Sequence, residues 1–230
     1  MIISSYYAGK RNGDWEESIA KFHQQPVFKT RSLSLLIPTV SSIHPRIVAS
    51  WLDLAYPMNS IRDTYMIHGE EVGVAYSKGI ELALKENRTR FLLTLEHDMI
   101  VPRNAVLKLI ETIDSKEGEK YSAISGLYWG KGKDSIPHIW GSPNTNSFEC
   151  QQPIENQLVP CNGVSMGCTL FRMDMFRDER LRKPWFVTYS STQQTQDLYF
   201  WEDAIKYGYK AAVDCSVRIG HYEESTGIIW

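Results

Sequence analysis

Phe91-Leu92-Leu93-Thr94-Leu95 runs without a spacer into Glu96-His97-Asp98. A segment that is apolar on both alternating sets of positions must be covered on both faces, as a strand inside a parallel sheet is by helices packed above and below. Glu96, His97 and Asp98 do not share that burial, so the chain has to leave the sheet there. Pro102 follows where a helix start tolerates proline, and Ala105, Val106, Leu109, Ile110 and Ile113 recur along one helical face. Such a strand and helix form half of a β-α-β unit, and open sheets built from these units bind ligands beyond the carboxyl ends of their strands.

The rest of the chain repeats this alternation. Residues 33–40, Leu-Ser-Leu-Leu-Ile-Pro-Thr-Val, read as a buried parallel strand ending at Pro38 and Thr39. A helix is expected from about Ile47 to Tyr56, a short strand over 61–68, and an amphipathic helix carrying Val72, Ala75, Tyr76, Gly79, Ile80 and Ala83. Tyr121–Tyr128 and Val164–Phe171 read as strands, Asp197–Tyr207 as a helix closed by Gly208, and Lys210–Arg218 as a last strand leading to His221. Between them, Trp129 to Pro160 is a long Gly-, Pro-, Asn- and Ser-rich loop of the kind that carries function. The expectation is an α/β fold with a mostly parallel central sheet flanked by helices. The 230 residues form one domain in this reading, with a nucleotide-binding half over 1–128 and an acceptor-side half over 129–230.

Composition narrows the function classes. With 25 Lys and Arg against 27 Asp and Glu, the formal net charge is −2, so no global positive field is available to hold nucleic acid. No apolar run reaches the roughly 18–20 residues of a membrane span, and Met1-Ile2-Ile3 is too short for the apolar core of a leader. The four cysteines show neither a C-x-x-C pair nor zinc spacing; Cys161 and Cys168 read as small apolar residues. A reduced, cytoplasmic protein is expected, with membrane contact at most peripheral.

Side chains two apart on an extended segment share a side, so Glu96 and Asp98 are expected to face the crevice while His97 faces away. Two carboxylates at a strand end make a hard-oxygen site for Mg²⁺ or Mn²⁺, with a nucleotide diphosphate completing the shell. The competing reading makes Asp98 a solvated charge at a turn or helix start.

Order along the chain bears on this choice. The Ile37-Pro38-Thr39 strand end, the acidic triplet, Thr195-Gln196-Asp197 opening a helix, and Gly220-His221 after a closing strand occur in sequence. Together with Val164–Arg172, Pro184-Trp185-Phe186 and Val213-Asp214, they resemble the nucleotide-sugar glycosyltransferases of the GT-A fold, in particular the family 2-like transferases, over roughly residues 33–222.

That resemblance implies a sugar moved from a nucleotide-diphosphate donor to a hydroxyl acceptor. Asp98 would be the D-x-D carboxylate on the metal, and His221 a second protein ligand; a nitrogen ligand suits Mn²⁺ at least as well as Mg²⁺. Asp197 would be the base of an inverting transfer, with Gln196 in place of the family's glutamate, or else a helix cap. Thr39 would lie against the donor's base and ribose, with Asp63 or Glu70 facing a uracil edge. Glu96 replaces the first aspartate of D-x-D and would reach a ribose hydroxyl or a metal-bound water. Tyr76-Ser77 stands where many relatives have Arg-Asn, which leaves Lys78 as the substitute cation near the diphosphate.

Trp129, Trp140 and Trp185 fall on the acceptor side, as stacking platforms for a sugar or as core. His44, His68 and His138 are read as surface or core histidines. A nucleotidyltransferase is the first alternative, disfavoured because Ser41-Ser42-Ile43-His44-Pro45-Arg46 contains no glycine for a phosphate loop. A catalytically silent binding protein of the same fold is the second.

Overall fold

A computed structural model of the chain describes residues 32–58, 60–145, 147–188 and 195–230. The Met1-Ile2-Ile3 segment, and with it the start of the 1–128 half, lies outside the described residues. The elements follow in the order β1 (Leu33–Thr39), α1 (Pro45–Leu52), β2 (Arg62–His68), α2 (Val72–Glu86), β3 (Phe91–Leu95), β4 (Met99–Ile100), α3 (Ala105–Asp114), β5 (Ala123–Leu127), β6 (Ile139–Trp140), β7 (Leu158–Cys161), β8 (Gly163–Val164), β9 (Cys168–Arg172), α4 (Gln196–Ala204), β10 (Ala211–Arg218), β11 (Gly220–Glu223) and β12 (Ile228–Ile229).

Seven strands form one sheet in the order β2-β1-β3-β9-β5-β10-β7. β1 pairs in parallel with β2 and β3, and β5 with β10, while β9 and the edge strand β7 run antiparallel to their neighbours. The alternation of side chains along each strand divides the core into two layers. On one face Leu36, Leu92, Phe171 and Val213 pack against α2 and α4 through Tyr76, Ile80, Phe200 and Trp201. On the other, Leu35, Leu93, Leu170 and Ala212 pack against α3 through Ala105, Leu109 and Ile113. Gly79 lets α2 lie close on the sheet, since a Cβ there would stand 2.1 Å from the Leu36 side chain.

Several boundaries differ from expectation for local reasons. α1 starts at Pro45, with the His44 ring accepting from Arg46 N at 3.2 Å, and it ends at Leu52 rather than Tyr56. There Ala55 N turns away to donate to Arg103 O at 2.7 Å. The expected strand over Val164–Phe171 is split into β8 and β9. The break at 165–167 is held by hydrogen bonds from Gly167 N to the Tyr128 hydroxyl, 3.0 Å, and from Glu96 N to Gly167 O, 3.0 Å. After β10 the chain forms a small second sheet, β12-β11-β4, in which His221 lies opposite Met99.

Candidate active site

β3 ends at Leu95, and residues 96–99 close a turn in which Met99 N donates to Glu96 O at 3.1 Å. The extended geometry expected for 96–98 is therefore absent, yet the two carboxylates remain close enough for the charge of Asp98 to act on Glu96. β4 and β11 are what bring the C-terminal histidine to this turn. Their antiparallel pairing sets His221 beside Met99, and Tyr222 N donates to Asp98 O at 2.8 Å.

Asp98 Oδ2 meets Lys131 Nζ at 2.5 Å and His221 Nε2 at 3.2 Å. Its other oxygen, Oδ1, is buried and has no hydrogen-bond partner. Burial would raise the Asp98 carboxyl, but the contacts from His221 and Lys131 overrule it and hold the group well below the usual carboxylate range.

His221 Nδ1 lies 2.8 Å from Trp129 O. A carbonyl only accepts, so Nδ1 carries the proton, and in a neutral imidazole Nε2 is then a bare lone pair aimed at a carboxylate oxygen. Two acceptors at 3.2 Å require a shared cation, either a proton on Nε2 or a metal ion. With the unpaired Asp98 Oδ1 beside it and a carbonyl fixing the tautomer from behind, this pair fits a divalent ion, as ligating histidines usually have such support. Among the described residues no group of three or more His, Cys, Asp and Glu side chains is arranged so that it could hold a metal ion. The donor set is thus one carboxylate and one imidazole.

Glu96 turns the other way. Its Oε1 accepts from the hydroxyl of Tyr76, which is fully buried on α2, at 2.7 Å. Burial pushes the Glu96 carboxyl up to about 7, the Asp98 charge adds to this, and the Tyr76 hydrogen bond opposes it. Asp197 is buried in the first turn of α4, whose N-cap is Thr195, and its Oδ1 accepts from Leu198 N at 3.0 Å, satisfying one free amide of that turn. Its charge also reaches Glu96, Tyr76 and Tyr128, which puts it within the same electrostatic neighbourhood.

His138, read from sequence as surface or core, lies against the site. Its ring packs on Tyr128 at 4.6 Å and meets His221 edge-on at 6.3 Å, and Ser165 Oγ contacts both its Nδ1, at 2.9 Å, and Trp140 Nε1, at 2.8 Å. Burial pushes the His138 imidazole down to about 4, so it is neutral near pH 7.

Other expected site residues are elsewhere or otherwise engaged. Thr39 is at the right end of β1, but its hydroxyl donates to Ser41 O at 2.8 Å and shapes the turn. Lys78 pairs with Glu70 at 2.5 Å, so the cation on the acidic pair is Lys131, from the long loop. Asp63 pairs with Arg88 near the start of β2, at the opposite end of the strand from the crevice, which removes it as a base-reading residue. Trp185 is 1% exposed, packed edge-on against Phe176, and offers no face to a sugar. Trp129 is half-buried and contributes its carbonyl to His221. Lys131 had no periodicity to mark it, and Tyr76 reads from sequence as part of a buried helix face and as a departure from the family's Arg-Asn, with nothing to show its bond to Glu96.

No family model matches the chain, and no curated protein matches it. Solved structures do. A197 from STIV superposes with a TM-score of 0.60 at 17% identity, covering 84% of this chain and 86% of that one. GalNAc-T7, in a crystal structure with UDP, GalNAc and Mn²⁺, gives 0.55 at 13% identity over 83% of this chain and 44% of its own, so this chain spans less than half of that protein. At these identities the likeness is one of fold, and the fold is GT-A-like.

Proposed function

We propose that this chain transfers a sugar from a nucleotide-diphosphate donor to a hydroxyl acceptor, with Mn²⁺ or Mg²⁺ held by Asp98 and His221. The observation that carries the reading is the Asp98–His221 pair, with Oδ2 and Nε2 3.2 Å apart and Asp98 Oδ1 buried and unpartnered beside them. Bound there, a divalent ion supplies positive charge to the departing diphosphate. The nitrogen ligand favours Mn²⁺. A GT-A-like neighbour crystallised with UDP and Mn²⁺ supports the same reading.

Asp197 accepts the proton of the acceptor hydroxyl as that oxygen bonds to the anomeric carbon. The bond from that carbon to the diphosphate oxygen breaks, and the diphosphate departs with the bonding electrons. Attack from the face opposite the leaving group inverts the anomeric centre. Thr39 and Glu96 flank the donor side, Trp129 the acceptor side, and Lys131 takes the cationic part that the sequence assigned to Lys78.

A silent binding protein is the second reading. It is favoured by one observation: both acids already have internal partners, Lys131 on Asp98 and Tyr76 on Glu96. Thermal shifts with UDP, GDP and nucleoside triphosphates, each with and without Mn²⁺, followed by a donor-hydrolysis screen, separate the readings. A transferase is stabilised by a diphosphate only with the ion and releases diphosphate from a donor sugar. Binding without release supports the silent protein, and pyrophosphate release from a triphosphate supports a nucleotidyltransferase; either outcome overturns the proposal.

A further inference from the structure

A second cleft, of about 1000 Å³, opens at the other end of the sheet from Asp98. It lies where β5 and β10 begin, at Ala123 and Ala211, whereas His221 follows the end of β10. β10 has eight residues, so about 25 Å of strand separates the two regions. None of the groups at the candidate active site lines it.

The cleft has a basic wall and a polar-aromatic wall. Lys120, Lys206 and Lys210 come from the turns that lead into β5 and β10, and those turns are tied together by Ser122 N donating to Lys210 O at 2.8 Å. All three lysines are exposed; Lys206 has only a distant contact with Asp203, 3.9 Å. Among the described residues neither Lys120 nor Lys210 is in an ion pair; Lys120 Nζ lies over the Tyr121 ring at 5.0 Å, a contact that leaves its hydrogen-bond donors open to a ligand.

The cleft's acid, Glu202, faces Arg182 at 3.5 Å. The opposite wall is preformed. Asn162 Nδ2 donates to Thr145 O at 2.7 Å and to Ser147 O at 2.8 Å, and Gly141, at φ +69°, turns so tightly that a Cβ would stand 2.0 Å from Ser147 O. Phe148 and Tyr209 add aromatic surface to it.

Exposed ammonium groups beside amides, hydroxyls and ring faces suit a ligand that is at once anionic, hydroxylated and flat-faced. We propose that this cleft is a binding site for an acidic oligosaccharide, remote from the reaction centre and reading carboxylated sugar units. Its test reads binding alone, with no donor present, so it stands or falls separately from the transferase reading.

Calorimetric titration of the full chain with trigalacturonate, maltotriose, inorganic phosphate and a single-stranded oligonucleotide tests it. Trigalacturonate should bind saturably, maltotriose and phosphate about tenfold more weakly or worse, and the affinity should fall as salt rises from about 0.05 to about 0.5 M. Lys120→Gln/Lys210→Gln should lose about tenfold in affinity, with Lys206→Gln as a second, independent probe. Melting curves of the variants should match the wild type, and UDP with Mn²⁺ should bind them as before. Equal binding of maltotriose, phosphate binding as tightly as the oligosaccharide, a preference for the oligonucleotide, or wild-type affinity in both variants would each overturn the proposal.

Discussion

His221 Nε2 stands 3.2 Å from Asp98 Oδ2 although the two residues are 123 positions apart in the chain. The pairing of β11 with β4 sets the backbones, and the Trp129 carbonyl sets the ring. The imidazole is thus held in orientation before any ion arrives, which lowers the ordering cost of binding one.

His221→Ala should therefore weaken Mn²⁺ binding by well over tenfold, and Asp98→Ala should abolish it together with metal-dependent nucleotide binding. Free Mn²⁺ counted by electron paramagnetic resonance gives both values without any turnover. An unaltered Mn²⁺ affinity in His221→Ala would dismiss the histidine as a ligand.

Lys131 occupies part of the same carboxylate, 2.5 Å from Oδ2. An ammonium and a divalent cation repel strongly at such a separation, so removing it should help the ion. Lys131→Met is expected to tighten Mn²⁺ binding about tenfold while weakening donor binding, because the diphosphate loses a cation. If both affinities fell, Lys131 would be a structural support of the site and not a competitor for Asp98.

Glu96 and His138, both half-buried, give a pH prediction with opposing signs. Glu96 is raised from 4.5 to about 7, so its stabilising contribution is complete below 4.5 and lost as pH rises through 7. His138 is lowered from 6.5 to about 4, so its contribution is complete above 6.5 and lost as pH falls through 4. Each shift corresponds to up to about 3 kcal/mol. Between pH 4.5 and 6.5 the two slopes cancel, and the metal-free protein should show nearly level stability. Glu96→Gln leaves the histidine unopposed, so its urea midpoint should climb with pH across that interval; a level profile in the variant would refute the assignment.

The sheet was legible because burial on both faces leaves a plain signature: Phe91–Leu95 and Leu33–Thr39 could hardly be anything but interior strands. Asp98 and His221 were legible as a pair only through the order of motifs, since no local pattern joins a turn after β3 to a hairpin after β10. Lys131 was not legible. It lies in a loop without periodicity, and its contact depends on where that loop folds back. Trp185 was left open between platform and core for a similar reason. An aromatic next to Pro184 reads the same on a surface as in a core, and Trp185 joins the core layer that includes Phe176, whose ring it meets edge-on.

Asp197 poses the sharpest test, because one substitution can separate the proposed base from the first-turn hydrogen bond it makes. Its Oδ1 accepts the Leu198 amide proton, a first-turn bond that asparagine's amide oxygen can also make. Asp197→Asn should therefore keep the helix start, cost less than about 1 kcal/mol in stability and leave Mn²⁺-dependent donor binding intact. An amide has no carboxylate to accept the acceptor's proton, so transfer should fall by about 10²–10⁴-fold. Asp197→Ala removes that bond as well and should lower both stability and turnover. Comparing the two variants by thermal melt and by diphosphate release assigns the carboxylate: an asparagine variant that transfers sugar at the wild-type rate would leave Asp197 with a structural part in the first turn of α4 alone.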